Sequence, residues 1–263
     1  MNTESTTPAT RDGHVPPTDK ARIGWGLLIA QLVTVGLVYV LASGIPIIPS
    51  TFAQIQAGVA PEDIEVGSYV MASTVMTSMA AGVFVAWLWL RREGRVREAF
   101  DLTRQTSWTK TLLWALGGYV GAFLIFGLGG AAMEAIGLES PDPSLVLDLV
   151  TESPVSLAIW IIGVACLAAG LGEELLFRGF LMDRLSRTPG IGGNIWLVLF
   201  LQAAIFGLPH LYQGWGGVIV TGMIGFMFGW MRWRLGGSLL PLVIVHAAVN
   251  TTSMVLAYGQ AVG

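Results

Sequence analysis

Charge is what this sequence has least of. Only 12% of its 263 residues are Asp, Glu, Lys or Arg, against about 25% in an ordinary soluble domain. With 54% of the residues hydrophobic, too few polar groups remain to cover a globule, so much of the surface must face lipid. Cysteine is nearly absent. The single one, Cys166, lies inside an apolar run, which excludes an intrachain disulfide framework and a Cys-rich metal knuckle. The H-E-x-x-H zinc motif is missing, and there is no internal repeat and no soluble domain. The net charge of -3 says little about partners, and no nucleic-acid partner is expected.

What the chain has is long apolar runs. A spanning helix needs about 20 mainly apolar residues, and seven stretches qualify: roughly 23–46, 68–90, 111–135, 155–177, 194–212, 215–233 and 238–258. With no water in the bilayer core to satisfy a strand edge, each is expected to be a helix. The expected fold class is therefore all-α, a polytopic transmembrane bundle of seven or eight spans. Residues 1–22 are polar and read as a disordered cytoplasmic tail. Residues 23–135 hold the N-terminal spans, and 155–258 form a second block that carries the chemistry.

The basic residues orient the bundle. Arg11, Lys20 and Arg22 precede the first span. Arg91, Arg92, Arg95, Arg97, Arg104 and Lys110 lie between the second and third, Arg184 and Arg187 between the fourth and fifth, and Arg232 and Arg234 end the sixth. All of these fall on one side if seven helices alternate. The opposite loops carry only acids: Glu62, Asp63 and Glu65, then Glu139, Asp142, Asp148 and Glu152. The positive-inside rule puts the N-terminus in the cytoplasm and the C-terminus outside, in a bacterial-type plasma membrane.

Ionisable residues inside a bilayer are functional candidates by default. Here they are Glu173, Glu174 and Arg178 in the fourth segment, His210 in the fifth and His246 in the seventh. Glu174 and Arg178 are four apart, so on a helix they share a face and pair. Glu173 is rotated away and left free, which suits a general base in a low-dielectric pocket. The reverse assignment of the two acids stays open. In IFGLPHL, Pro209 disturbs the helix just before His210, which can act as base, water orienter or metal ligand. His246 and Asn250 are again four apart. They can donate to a developing oxyanion or complete a metal shell with Glu173 and His210. Each feature taken singly also has a structural reading. Their concentration in the last third of the chain favours one shared site.

Three segments resemble, in order, the motifs of one family. EELLFR (Glu173 to Arg178), FGLPH (Phe206 to His210) and HAAVN (His246 to Asn250) are similar to the EExxxR, FxxxH and HxxxN motifs of the CPBP intramembrane proteases. That family includes the CAAX prenyl endopeptidases and bacteriocin-immunity proteins. The resemblance covers about residues 155–258. It implies a membrane-buried endopeptidase in which Glu173 and His210 activate water. His246 and Asn250 would bind the oxyanion, and Arg178 would brace the acid pair. The cofactor it implies is either zinc, held by Glu173, His210 and His246, or none. The implied partners are the lipid bilayer and a peptide or protein substrate, lipidated or not. A non-catalytic immunity or scaffold protein and a proton-coupled transporter are the competing functions.

One geometric condition follows. At 1.5 Å per residue, His246 lies on the order of 12 Å, and His210 roughly 22 Å, from the inner side. Glu173, near the inner end of its span, meets His210 only if the fourth helix runs past Arg178 or the fifth starts within the membrane at 190–193. The apolar stripe Leu181, Met182 and Leu185 predicts the former, with the helix reaching about Ser186.

Overall fold

A computed structural model describes residues 22–103 and 105–263. The expectations for the tail 1–21, including Arg11 and Lys20, and for Arg104 lie outside the described residues. The described chain is helical, without a strand. Its long helices are α1 (Trp25–Gln56), α2 (Ser68–Arg92), α4 (Trp108–Ala135), α6 (Pro154–Leu185), α7 (Ile195–Gly207), α8 (Gly214–Arg234) and α9 (Leu240–Val262). Two short helices, α3 (Val96–Ala99) and α5 (Ser144–Thr151), lie in connections. Helix α1 runs ten residues past its expected end at 46. Pro46 and Pro49 sit inside it, where each removes one N–H donor without breaking the rod.

Among the described residues six helical runs are long and apolar enough to cross a membrane. They match the seven stretches of the sequence because one run, Ile195–Arg234, is a hairpin. Its arms, α7 and α8, are joined by a 3₁₀ turn over Leu208–Gln213, and the chain reverses at Gly214, whose φ of 77° only glycine adopts readily. Contacts run from the open ends to the turn. The Trp196 ring meets those of Phe226 and Trp233, Gly225 abuts Ala203 and Phe206, and Gly207 abuts Gly222. The arms are therefore antiparallel.

Local sequence sets the helix ends. Ser107, Ser153 and Asn194 cap α4, α6 and α7 by accepting hydrogen bonds from first-turn N–H groups. Pro154 fills the first turn of α6, where its missing N–H costs nothing. The outer faces are apolar and bare: Val40 and Leu41 on α1 are 64% and 65% exposed, and Ile29, Val33, Leu113 and Leu128 are also exposed. A face of that kind is a lipid contact.

Helix α6 is the centre of the bundle, packed against α2 and α9. Most of it, Trp160–Leu181, is wound with the wider π-helical turn, and it continues without a break to Leu185. The extension predicted by the apolar stripe is therefore present, with Leu181, Met182 and Leu185 all buried. Ion pairs hold its end. Asp183 accepts from Arg95 (2.6 Å) and Arg184 (2.7 Å), and Glu93 accepts from Arg184 (2.6 Å), Arg187 and Gln31. The sequence placed Arg184 and Arg187 in a loop and left Arg178 as the one intramembrane arginine. The structure instead buries Arg184, Arg187 and also Arg232. Arg184 and Arg187 are neutralised by neighbouring Asp183 and by Glu93; the Glu93 pairing joins distant segments, and spacing along the chain does not reveal it.

Candidate active site

Glu173 and Glu174 project from the middle of α6, with Arg178 one turn further along. The Arg178 guanidinium donates to Glu174 Oε1 at 3.0 Å, and both side chains are fully buried. The guanidinium also lies over the Phe206 ring at 3.9 Å and the Phe228 ring at 5.3 Å. A cation between two aromatic faces is stabilised by their quadrupoles. The expected i, i+4 pair is present, and α7 and α8 sandwich it.

His246 reaches the same carboxylate from α9. Its Nδ1 is 2.8 Å from Glu174 Oε1. Glu174 already accepts from Arg178, so the hydrogen on this contact belongs to His246 Nδ1. The other ring nitrogen, Nε2, stands 3.7 Å from Glu173 Oε2. Arg178, Glu174 and His246 thus form a chain in which a charged carboxylate fixes the orientation of an imidazole, as in other carboxylate–histidine pairs. The close approach of α9 depends on Gly170. A Cβ there would come within 2.9 Å of the Ala247 Cβ, and Ala247 is the neighbour of His246.

His210 sits in the 3₁₀ turn after Pro209. Its Nδ1 lies 3.2 Å from the Phe206 carbonyl oxygen. A carbonyl only accepts, so Nδ1 carries the hydrogen and Nε2 presents its lone pair elsewhere. Glu173 and His210 line one cavity of about 270 Å³. Its other walls are apolar and come from α1 (Leu32, Val35, Gly36), α2 (Met79), α6 (Leu176, Phe177, Phe180) and α7 (Ile205, Phe206), with Tyr39 added from α1. Glu173 Oε2 is buried with no hydrogen-bond partner. A buried carboxylate oxygen left unpaired is costly unless the site uses it.

Of the residues singled out in the sequence, Glu173, Glu174, Arg178, His210 and His246 gather in one region. Asn250 lies one turn beyond His246 and is half-buried; like Glu174, Arg178 and His246, it is behind the cavity lining rather than in it. For the zinc alternative, among the described residues no three His, Cys, Asp or Glu side chains are grouped to hold a metal ion. His246 and His210 each turn Nδ1 to another partner, which leaves Nε2 of each ring for other contacts. With no such group of three, the described residues do not form a three-ligand shell as arranged.

Sequence reasoning missed the share of α1. Leu32, Val35, Gly36 and Tyr39 follow the 3, 4, 7 spacing of one helical face. That stripe is legible, but in a spanning helix it reads as packing.

Residues 155–252 match the family model described as Rce1-like, type II CAAX prenyl endopeptidase Rce1-like. The match contains all five gathered residues and Asn250. No curated protein matches the chain, and no solved structure does.

Proposed function

We propose that this chain, whose residues 155–252 form an Rce1-like domain, is an intramembrane endopeptidase that uses Glu173 as general base. The observation that carries the reading is that Glu173 and His210 line one cavity, where His210, its hydrogen turned to the Phe206 carbonyl, keeps its other ring nitrogen free to accept. A water held between two acceptors donates one hydrogen to each and keeps its lone pairs for the carbonyl carbon.

The reaction balances with these groups. Glu173 takes a proton from the water as its oxygen bonds to the scissile carbonyl carbon, and the carbonyl electrons move to oxygen. When the tetrahedral adduct collapses, the C–N bond breaks and Glu173 returns the proton to the leaving nitrogen. His246 Nε2, 3.7 Å from Glu173 Oε2, is an acceptor beside that carboxyl while it carries the proton. Glu174 and Arg178 touch no reacting atom and act as positioning residues. The apolar walls match a substrate segment with apolar side chains or a lipid-modified end, as the domain's description suggests. The basic end of the bundle, with Arg95, Arg184, Arg187 and Arg234, faces the cytoplasm of a plasma membrane by the positive-inside rule. This places the N-terminus inside, and alkaline phosphatase fused after Gly263 should then be active.

Purified protein in detergent micelles, given quenched fluorogenic peptides with and without a C-terminal prenyl group, tests the reading. Glu173→Gln should lower cleavage by about 10²- to 10⁴-fold, the usual share of a general base, while the protein stays folded. Unchanged cleavage in that variant removes Glu173 from the chemistry.

A further inference from the structure

Away from the cavity that holds Glu173 and His210, a second one of about 350 Å³ opens between α4 and α8. Its lining is apolar or glycine, with Leu113, Trp114 and Gly117 from α4 and Trp230 and Met231 from α8, and it includes no charged side chain. Two glycines shape this groove in different ways. A Cβ at Gly118 would come within 2.8 Å of the Met231 Cε, so Gly118 lets the two helices close at the floor. A Cβ at Gly117 would meet nothing within 4 Å, so the side chain missing there leaves the groove open. A methylene takes about the 30 Å³ of a water in the liquid, which gives room for roughly a dozen of them.

Charge marks one end of the groove. The Trp114 and Trp230 rings meet there, with centroids 5.9 Å apart. One helical turn beyond them, at the basic end of the bundle, stand Lys110 and Arg234. Lys110 is four residues before Trp114 and Arg234 four after Trp230, so each shares a helix face with its tryptophan. Hydrogen bonds hold the two helix ends together: Gln105 Nε2 donates to the Leu235 carbonyl (3.1 Å) and Ser238 Oγ to the Thr103 carbonyl (2.7 Å). Both cations are exposed. The Arg234 guanidinium lies 6.0 Å from the centre of the Trp233 ring, and neither cation has an ion-pair partner among the described residues. An apolar groove that ends at two unpaired cations follows the layout of a phospholipid, chain first and phosphate last. Basic pockets between spanning helices recognise anionic head groups in this way.

We propose that the groove between α4 and α8 binds one anionic phospholipid, with an acyl chain along Gly117 and the phosphate between Lys110 and Arg234. The site stands whether or not the chain is a hydrolase. It differs from the bare outer faces of the bundle, which meet lipid through apolar contact alone and do not distinguish head groups. A second copy of the chain is the poorer occupant. A twofold axis that set groove against groove would bring Lys110 and Arg234 up to the same two residues again, and like charges repel.

The test is thermal unfolding of the full-length protein, stripped of lipid in a nonionic detergent, with phosphatidylglycerol or phosphatidylcholine of the same chains added back. Saturating phosphatidylglycerol should raise the melting temperature by about 5 °C more than phosphatidylcholine does. Glycerol 3-phosphate, which has the phosphate without the chains, should give no shift. Two variants take the site apart. The double variant Lys110→Gln/Arg234→Gln should reduce the phosphatidylglycerol shift to that of phosphatidylcholine. Gly117→Leu fills the groove and keeps both cations, and it should lose the extra shift as well. Both variants should melt near the wild-type temperature without lipid, since two of the changes are on exposed side chains and the third enters open space. Equal shifts from the two lipids overturn the proposal, and so does a Gly117→Leu protein that keeps the full phosphatidylglycerol shift. A dimer in detergent that Gly117→Leu disrupts would give the groove to a second copy and overturn it too.

Discussion

Helix α6 carries two groups of buried charges, Glu173–Glu174–Arg178 near its middle and Asp183–Arg184 near its end, and they are built to opposite specifications. In the end group every carboxylate oxygen is used. Asp183 Oδ1 accepts from Arg95, Oδ2 from Arg184, and the two oxygens of Glu93 accept from Gln31, Arg184 and Arg187. In the middle group Glu173 Oε2 and Glu174 Oε2 are buried without a partner, and a cavity opens beside Glu173. By composition the two groups look alike. What separates a clamp from a reactive site here is how fully the acids are satisfied.

The same chemical change at the two places sharpens that contrast. Asp183→Asn removes a charge that three arginines, Arg95, Arg184 and Arg187, pair with, and should destabilise the protein by about 3–5 kcal/mol, the usual cost of leaving a buried charge uncompensated. Glu173→Gln removes a charge that no arginine pairs with, and should leave the melting temperature unchanged or slightly raised while cleavage is lost. Thermal unfolding in one detergent compares the pair. Equal destabilisation would erase the distinction.

A smaller effect concerns pH. Burial alone would raise the carboxyl pKa of Glu93. The hydrogen bond from Arg187 and the charges of Arg184 and Arg187 outweigh this and hold it below the usual glutamate value. A carboxyl depressed on folding contributes stability that is present above its unfolded pKa and is lost as pH falls through the folded value. The stability difference between wild type and Glu93→Gln should be full near pH 7 and fade below the ordinary glutamate range. A difference that does not change with pH would show that Glu93 is not the charge holding this end together.

Much of this was legible in the sequence, for reasons that can be named. The spans follow from apolar length. The Glu174–Arg178 pair follows from spacing, because i and i+4 meet on a helix whatever surrounds it. The run of α6 to Leu185 follows from the stripe Leu181, Met182 and Leu185. Less could be read where distant segments meet. That His246 binds Glu174 and stands off from Glu173 is decided by how α9 settles against Gly170. That Arg184 and Arg187 are buried depends on Glu93, some ninety residues away along the chain. That Tyr39 lines the cavity depends on the packing of α1 on α2, and an aromatic in an apolar run carries no mark of it.

The central claim is that Glu173 and His210 act on one water, and a double-mutant cycle on cleavage tests it most directly. Rates are measured for wild type, Glu173→Gln, His210→Ala and the double variant, with folding checked for each. Residues that serve one step as a unit are not additive, so the account predicts a double variant no slower than the worse single one. Losses that simply multiply would show that the two side chains act independently, and would contradict the shared water on which the proposal stands.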